Sequence, residues 1–141
     1  MEPGVLSNSP FLPLVGWSVV LLVVHILLQG MTATKELGSR WNAGPRDDGR
    51  HPQGVLAGRA ERASANFRET YPGFVALALA LALKGDAQGF EPGLGLWGAR
   101  LWFAARIVYI PLYLAGIPYI RSLVWLAGLA GLALMFAALV A

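Results

Sequence analysis

The sequence predicts an all-α integral membrane protein: a four-transmembrane-helix bundle forming a single domain over residues 1–141. Three observations carry this. Of the 141 residues, 56% are hydrophobic and only 13% are charged, too few charges for the surface of a soluble domain of this length. The charges crowd between Lys35 and Glu69 and leave long apolar stretches on either side. Two stretches, Phe11 to Leu28 and Ser122 to Ala141, run 18 and 20 residues without a charge, close to the roughly 20 that cross a bilayer core.

The first helix is expected over about 11–29. A signal peptide is the other reading of this segment, but Met1 to Pro10 holds no Lys or Arg and no strong small-x-small cleavage site follows Leu28, so a retained helix fits better. A loop follows over about 30–55, where Asn42-Ala43-Gly44-Pro45-Arg46-Asp47-Asp48-Gly49 is dense in turn formers. The second helix, about 56–83, starts polar and ends apolar. The third, about 94–114, carries Arg100 and Arg106. Pro72 and Pro111 fall inside these two helices, where a missing N–H and a ring clash favour kinks. Gly116-Ile117-Pro118 allows only a tight turn, so the fourth helix, about 118–141, returns antiparallel to the third. Ala133, Ala137 and Ala141, and Ala127 with Gly131, have the small-xxx-small spacing that lets backbones approach, or simply reflect an Ala- and Gly-rich segment.

Loop charge sets orientation. Lys35, Arg40, Arg46, Arg50 and Arg59 precede or open the second helix, whereas the loop from Gly85 to Gly93 has no basic residue. The positive-inside rule puts the first loop in the cytoplasm and both termini outside. The net charge of +3 therefore reports topology and gives no reason to expect nucleic acid as a partner. The chain has no cysteine, hence no disulfide, thiolate nucleophile or thiolate metal site of its own. His25 and His51, without a nearby acidic pair, do not make a metal site, and His25 reads best as a packed residue of the first helix.

The polar start of the second helix is the feature with chemical content. Arg59, Arg62, Asn66 and Glu69 are spaced 3, 4 and 3 residues apart and share one helical face that runs into lipid. Charged groups at membrane depth usually face a bundle interior or a polar cavity, which marks a functional site. Helical ion pairs need opposite charges three or four residues apart, and none of these four residues has such a partner on this face. Their partners come from other helices, other subunits or a ligand; an inter-helix ion-pair lock is the plain alternative. Arg106, Tyr109 and Tyr113 share a face of the third helix, and Arg121-Ser122 opens the fourth. Tyrosines at this depth are also common as interfacial anchors. Taken together, the guanidinium and hydroxyl groups have the composition of an anion site.

These residues resemble the membrane-associated proteins in eicosanoid and glutathione metabolism, the MAPEG family. The resemblance rests on Arg62-Ala63-x-x-Asn66-x-x-Glu69 followed by Pro72, on Arg106-x-x-Tyr109-x-x-x-Tyr113, and on Pro118-x-x-Arg121-Ser122, and it covers nearly the whole chain. It implies a homotrimer of four-helix subunits with glutathione bound as thiol co-substrate between adjacent subunits. Arg62, Asn66 and Glu69 would then hold the carboxylates and amino group of the peptide, with Arg106, Tyr109 and Tyr113 contributing from a neighbour. Arg121 and Ser122 match the positions that activate the thiol, and the resemblance suggests Arg40 as a first-loop arginine reaching a glutathione carboxylate. Trp41 to Asp47 looks like bacterial members, which implies a bacterial inner membrane. Thr70 stands where some eicosanoid-pathway members carry an aromatic residue, so no leukotriene or prostaglandin activity is inferred.

The implied function is a glutathione-dependent transferase or peroxidase acting on hydrophobic electrophiles that arrive through membrane lipid. A thiol like that of Cys has a pKa of about 8.5; lowering it by about 2 needs roughly 2.7 kcal/mol of preferential thiolate stabilisation, within reach of one close arginine assisted by a hydroxyl. The alternatives are a non-catalytic lipid-binding or interaction protein on the same scaffold and a small transporter.

Overall fold

The computed structural model describes residues 8–85 and 93–141, all of whose regular structure is helical. The N-terminal tail before Asn8 and the second loop at 86–92 lie outside the described residues. Five helices follow in order: α1 (Phe11–Leu37), α2 (Ser39–Ala43), α3 (Val55–Lys84), α4 (Leu94–Ala115) and α5 (Ile120–Val140).

The first helix runs to Leu37, two turns beyond the expected end at Gln29, and the stretch read as loop from residue 30 contains α2. Gly30 does not break it. A lone glycine costs about 1 kcal/mol in a helix, and the following Met31, Ala33, Lys35, Glu36 and Leu37 are helix formers. The hydroxyls of Thr32 and Thr34 bond back to the carbonyls of Leu28 and Gly30, each at 2.7 Å. The stop comes at Gly38, whose φ of 91° lies in the region that favours glycine, while its N–H donates to the Thr34 carbonyl at 2.8 Å.

The extension has a structural purpose. It carries Glu36 to the start of α3, where the carboxylate accepts the N–H groups of Gln53 (2.5 Å) and Gly54 (2.9 Å). A carboxylate at a helix N-terminus satisfies donors that lack an intrahelical partner and complements the helix dipole. At the far end of α3, Lys84 does the converse, donating to the carbonyls of Ala138 (2.8 Å) and Leu139 (3.2 Å) in the last turn of α5. Pro72 and Pro111 lie inside α3 and α4, and neither ends its helix.

The closest packing joins α4 and α5. A Cβ placed on Gly98 would stand 2.5 Å from the carbonyl oxygen of Gly131, and one on Gly131 would stand 2.5 Å from that of Gly98. Only two glycines allow this approach. Gly131 belongs to the small-residue pattern read from the sequence, Gly98 does not, and Ala133 faces outward. The core beside this seam is aromatic. Trp102 stacks on Phe74 at 3.9 Å between centroids, and Phe67 packs against His25 at 4.7 Å, with all four residues buried.

Phe11–Leu37 and Ile120–Val140 are long and apolar enough to cross a membrane, with mean hydropathies of 2.5 and 2.4. Only 22% and 17% of their apolar stretches are buried, whereas the core helix of a soluble protein would be mostly buried. Val19, Val23 and Ile26 on α1 and Leu123, Leu126 and Phe136 on α5 face outward. Exposed apolar faces on helices of this length fit an integral membrane protein.

Candidate functional site

The polar face of α3 opens onto a cleft of about 410 Å³ built by three helices. From α3 come Arg62, Ala65, Asn66 and Glu69; from α4, Tyr109 and Tyr113; and from α5, Arg121, Ser122 and Trp125. Helical spacing selects the α3 and α4 residues, since 62, 66 and 69, and 109 and 113, each repeat every three or four positions. The α4–α5 turn supplies the rest. Gly116, with φ of 73°, reverses the chain, and Tyr119, with φ of 57°, precedes the first turn of α5, where Arg121 and Ser122 stand beside the end of α4.

Arg106 lies behind two lining residues, Asn66 and Tyr109, and does not itself line the cleft. It is buried, and its Nη1 donates to the Asn66 side-chain oxygen at 2.8 Å. Its guanidinium lies 4.6 Å from the Tyr109 ring centroid and 5.4 Å from that of Phe67, within cation–π range. Its Nε and Nη2 are buried without a partner among the described residues. Arg121 lies over the Tyr113 ring at 4.6 Å, which directs a second guanidinium along the cleft wall.

The charges of this face are not neutralised by ion pairs among the described residues. Among the described residues the one ion pair is Arg50 with Asp48 at 2.7 Å, outside this cleft. Arg62, Glu69, Arg106 and Arg121 form none. An ion-pair lock between helices of one chain is therefore absent from the polar face as described, and two guanidinium groups, Arg62 and Arg121, and one carboxylate, Glu69, line the cleft without an ion-pair partner among the described residues.

Two other candidates lie elsewhere. Arg59 points to the α4–α5 turn, where its Nη1 donates to the Leu114 carbonyl at 3.1 Å and its guanidinium fills the space a Cβ on Gly116 would need. Arg40 sits on α2 and lines a separate cleft of about 490 Å³ with Arg46, Asp47, Asp48 and Arg50. There the Arg50 guanidinium, bonded to Asp48, holds that exposed carboxyl below its usual range. His25 is buried in α1 with its Nε2 unpartnered, and among the described residues no three His, Asp or Glu side chains converge.

Trp125 was not among the sequence candidates. Its indole Nε1 is buried and has no partner among the described residues. The signal was present: Trp125 is four residues after Arg121 and shares its helical face. Ala65, three residues after Arg62, contributes by being small.

Helices with membrane-compatible outer faces, and a cleft in which Arg62, Arg121 and Glu69 stand beside two phenols without ion-pair partners among the described residues, define a membrane protein with a polar cleft of mixed charge. The profile of the MAPEG family matches residues 14–141, and the chain belongs to that family. Its role at family level is therefore in membrane glutathione or eicosanoid metabolism. Neither the curated proteins nor the solved structures yield a significant match.

Proposed function

We propose that the cleft binds glutathione as thiol co-substrate and that the protein is a glutathione-dependent membrane transferase or peroxidase acting on hydrophobic electrophiles. The observation that carries this reading is the set of charges lining one cleft without an ion-pair partner among the described residues, Arg62 and Arg121 against Glu69, with the buried Arg106 behind Asn66. Glutathione presents the complement, with two carboxylates, one ammonium and one thiol. Arg62 and Arg106 suit the carboxylates, Glu69 the ammonium, and Asn66, Tyr109 and Tyr113 the remaining hydrogen bonds. Charge-assisted bonds of this kind are the strong ones.

In this reading Arg121 stabilises the thiolate and Ser122 donates to it. The sulfur then forms a bond to an electrophilic carbon as the leaving group departs with its electron pair, or attacks a peroxide oxygen, breaks the O–O bond and displaces an alkoxide, and a second glutathione reduces the resulting sulfenic acid to the disulfide and water. The enzyme supplies positioning and electrostatic stabilisation, not a base of its own. The outward face of α3 around Arg62, Ala65 and Glu69 suits closure by a second subunit, and a homotrimer with four helices per subunit across the membrane is part of the proposal. So is its orientation in a bacterial inner membrane, with the first loop cytoplasmic and both termini outside. Arg40 would reach a glutathione carboxylate only from a neighbouring subunit, since within one chain it lines another cleft.

The test is an ultraviolet difference titration of the solubilised, intact assembly with glutathione near pH 7, following the thiolate band. A saturable band that Arg121→Ala abolishes while the assembly persists supports the proposal. No band from an intact wild-type assembly would falsify thiol activation and leave a non-catalytic binding protein on the same scaffold.

A further inference from the structure

A second cleft, of about 480 Å³, lies where α1 leaves its apolar stretch, on the side bounded by α2, the segment before α3 and the first turns of α3. Its lining has two characters. Ile26, Gly30 and Ala33 form an apolar wall, and Arg46, Arg50 and His51 supply cationic and hydrogen-bonding groups, opposed by Glu61 in the lining and by Asp48, which pairs with Arg50. Arg46 commits only its Nη2, to Asn42, and Arg50 only its Nε, to Asp48, so each guanidinium keeps donors without partners among the described residues. Trp41, over which Arg46 stacks at 4.5 Å, has a buried Nε1 that is also unpartnered.

The apolar wall does not stop at the cleft. Val19, Val23, Ile26, Gly30 and Ala33 are spaced 4, 3, 4 and 3 residues apart and form one stripe along α1. Val19, Val23 and Ile26 are 46%, 45% and 55% exposed. The apolar stretch from Phe11 to Leu28 covers about 27 Å at about 1.5 Å per residue, most of a hydrocarbon core of about 30 Å. The cleft therefore sits at headgroup depth, and the stripe leads from it into the acyl region.

We propose that this cleft is a binding site for one anionic phospholipid, its phosphate held by Arg46, Arg50 and His51 and an acyl chain laid along Val19, Val23 and Ile26. The apolar stripe selects a lipid over a free phosphate, and Arg46, whose guanidinium has only the neutral Asn42 as partner among the described residues, together with the donors that Arg50 keeps beyond Asp48, selects an anionic headgroup over a zwitterionic one. The site is separate from the cleft around Arg62 and stands whether or not that cleft takes glutathione. Occupancy would brace the connection between α1 and α3, because the same guanidinium groups hold Asn42 and Asp48 in place.

Native mass spectrometry of the full-length assembly, released from micelles supplied with phosphatidylglycerol or with phosphatidylcholine of the same chains, counts the lipid retained. The wild type should retain phosphatidylglycerol at least about fivefold over phosphatidylcholine, the worth of one basic group at an anionic surface. Gly30→Leu fills the cleft without changing its charge, and nothing stands within 4 Å of a Cβ at that position, so the fold should survive while retention is lost. Arg50→Gln should lower retention about fivefold by the same rule, and Arg100→Gln, near the start of α4 at the other end of the bundle, should not change it. Equal retention of the two lipids overturns the proposal. So does wild-type retention in Gly30→Leu, or loss of assembly in that variant, which would mean a second subunit fills the cleft. Displacement of the lipid by equimolar inorganic phosphate would assign the site to a free anion instead. Should Arg50→Gln disturb the loop, Gly30→Leu decides alone.

Discussion

Arg106 and Asn66 are joined by a 2.8 Å hydrogen bond between α4 and α3, and it is the one polar contact the buried guanidinium makes among the described residues. A buried charge held by a single neutral acceptor depends strongly on that acceptor. Replacing Asn66 by Ala leaves the cation unsatisfied, at a cost of about 1–3 kcal/mol or more. Asn66→Ala should lower the thermal midpoint of the solubilised protein in a circular dichroism melt. The double variant Asn66→Ala/Arg106→Met should recover part of the loss, because it removes the orphaned charge as well. A double variant less stable than Asn66→Ala would show that the contacts of Arg106 with the Tyr109 and Phe67 rings outweigh its bond to Asn66.

The α4–α5 turn is constrained in two independent ways at one residue. Gly116 has φ of 73°, and a Cβ there would displace the Arg59 guanidinium, the far end of a flexible side chain, from its bond to the Leu114 carbonyl. The left-handed conformation alone costs a non-glycine residue about 1–2 kcal/mol. Gly116→Ala should destabilise by at least that, and adding Arg59→Ala should relieve only the clash. If the double variant melts at the wild-type midpoint, the backbone argument is wrong.

Much of this arrangement was legible in the sequence because it depends on helical periodicity. The positions 62, 66 and 69 repeat on one face whatever the tertiary fold, and so do 109 and 113. Trp125 was equally legible, four residues after Arg121, but an aromatic in an apolar helix reads as core. The length of α1 was missed for a different reason. Gly30 looks like a stop, yet a lone glycine is outweighed by good helix formers and by the back-bonding hydroxyls of Thr32 and Thr34. The task of Arg59 could not be read at all, since its acceptor, Leu114, is 55 residues away in the chain. Gly98 and Gly131 were likewise separable from other glycines only once α4 and α5 were seen to touch.

The Glu36 contact predicts how α3 begins. Its carboxylate accepts two backbone N–H groups at Gln53 and Gly54, and caps of this type contribute about 0.5–2 kcal/mol. Glu36→Ala should raise amide hydrogen exchange in the first turn of α3 while leaving the end of α3 near Lys84 unchanged. Glu36→Gln should be intermediate, because the amide oxygen can accept one of the bonds without the charge.

In the connecting segment, Arg50 sets the titration of Asp48. The hydrogen bond from the guanidinium lowers the carboxyl pKa below its ordinary value of 3.8. A depressed carboxylate favours the folded loop above the unfolded pKa, and that contribution is lost as pH falls through the lower folded value. Arg50→Gln should move the Asp48 midpoint, read by carboxyl ¹³C NMR, up toward 3.8. No movement would mean that the pair does not persist in solution.

Arg121 and Tyr113 provide the sharpest separation of two roles at the proposed glutathione cleft. The guanidinium lies 4.6 Å over the ring, so the ring itself orients the cation, while the phenol hydroxyl is free to meet a ligand. A cation–π contact is worth about 0.5–2 kcal/mol, which corresponds to about a two- to thirtyfold change in the population of the oriented arginine. Tyr113→Phe keeps the ring and removes the hydroxyl; Tyr113→Leu removes both. If orientation of Arg121 governs the thiolate, Tyr113→Phe retains the thiolate band and Tyr113→Leu weakens it. If the hydroxyl is the contact that matters, both variants lose glutathione affinity equally, and the ring is only a wall of the cleft.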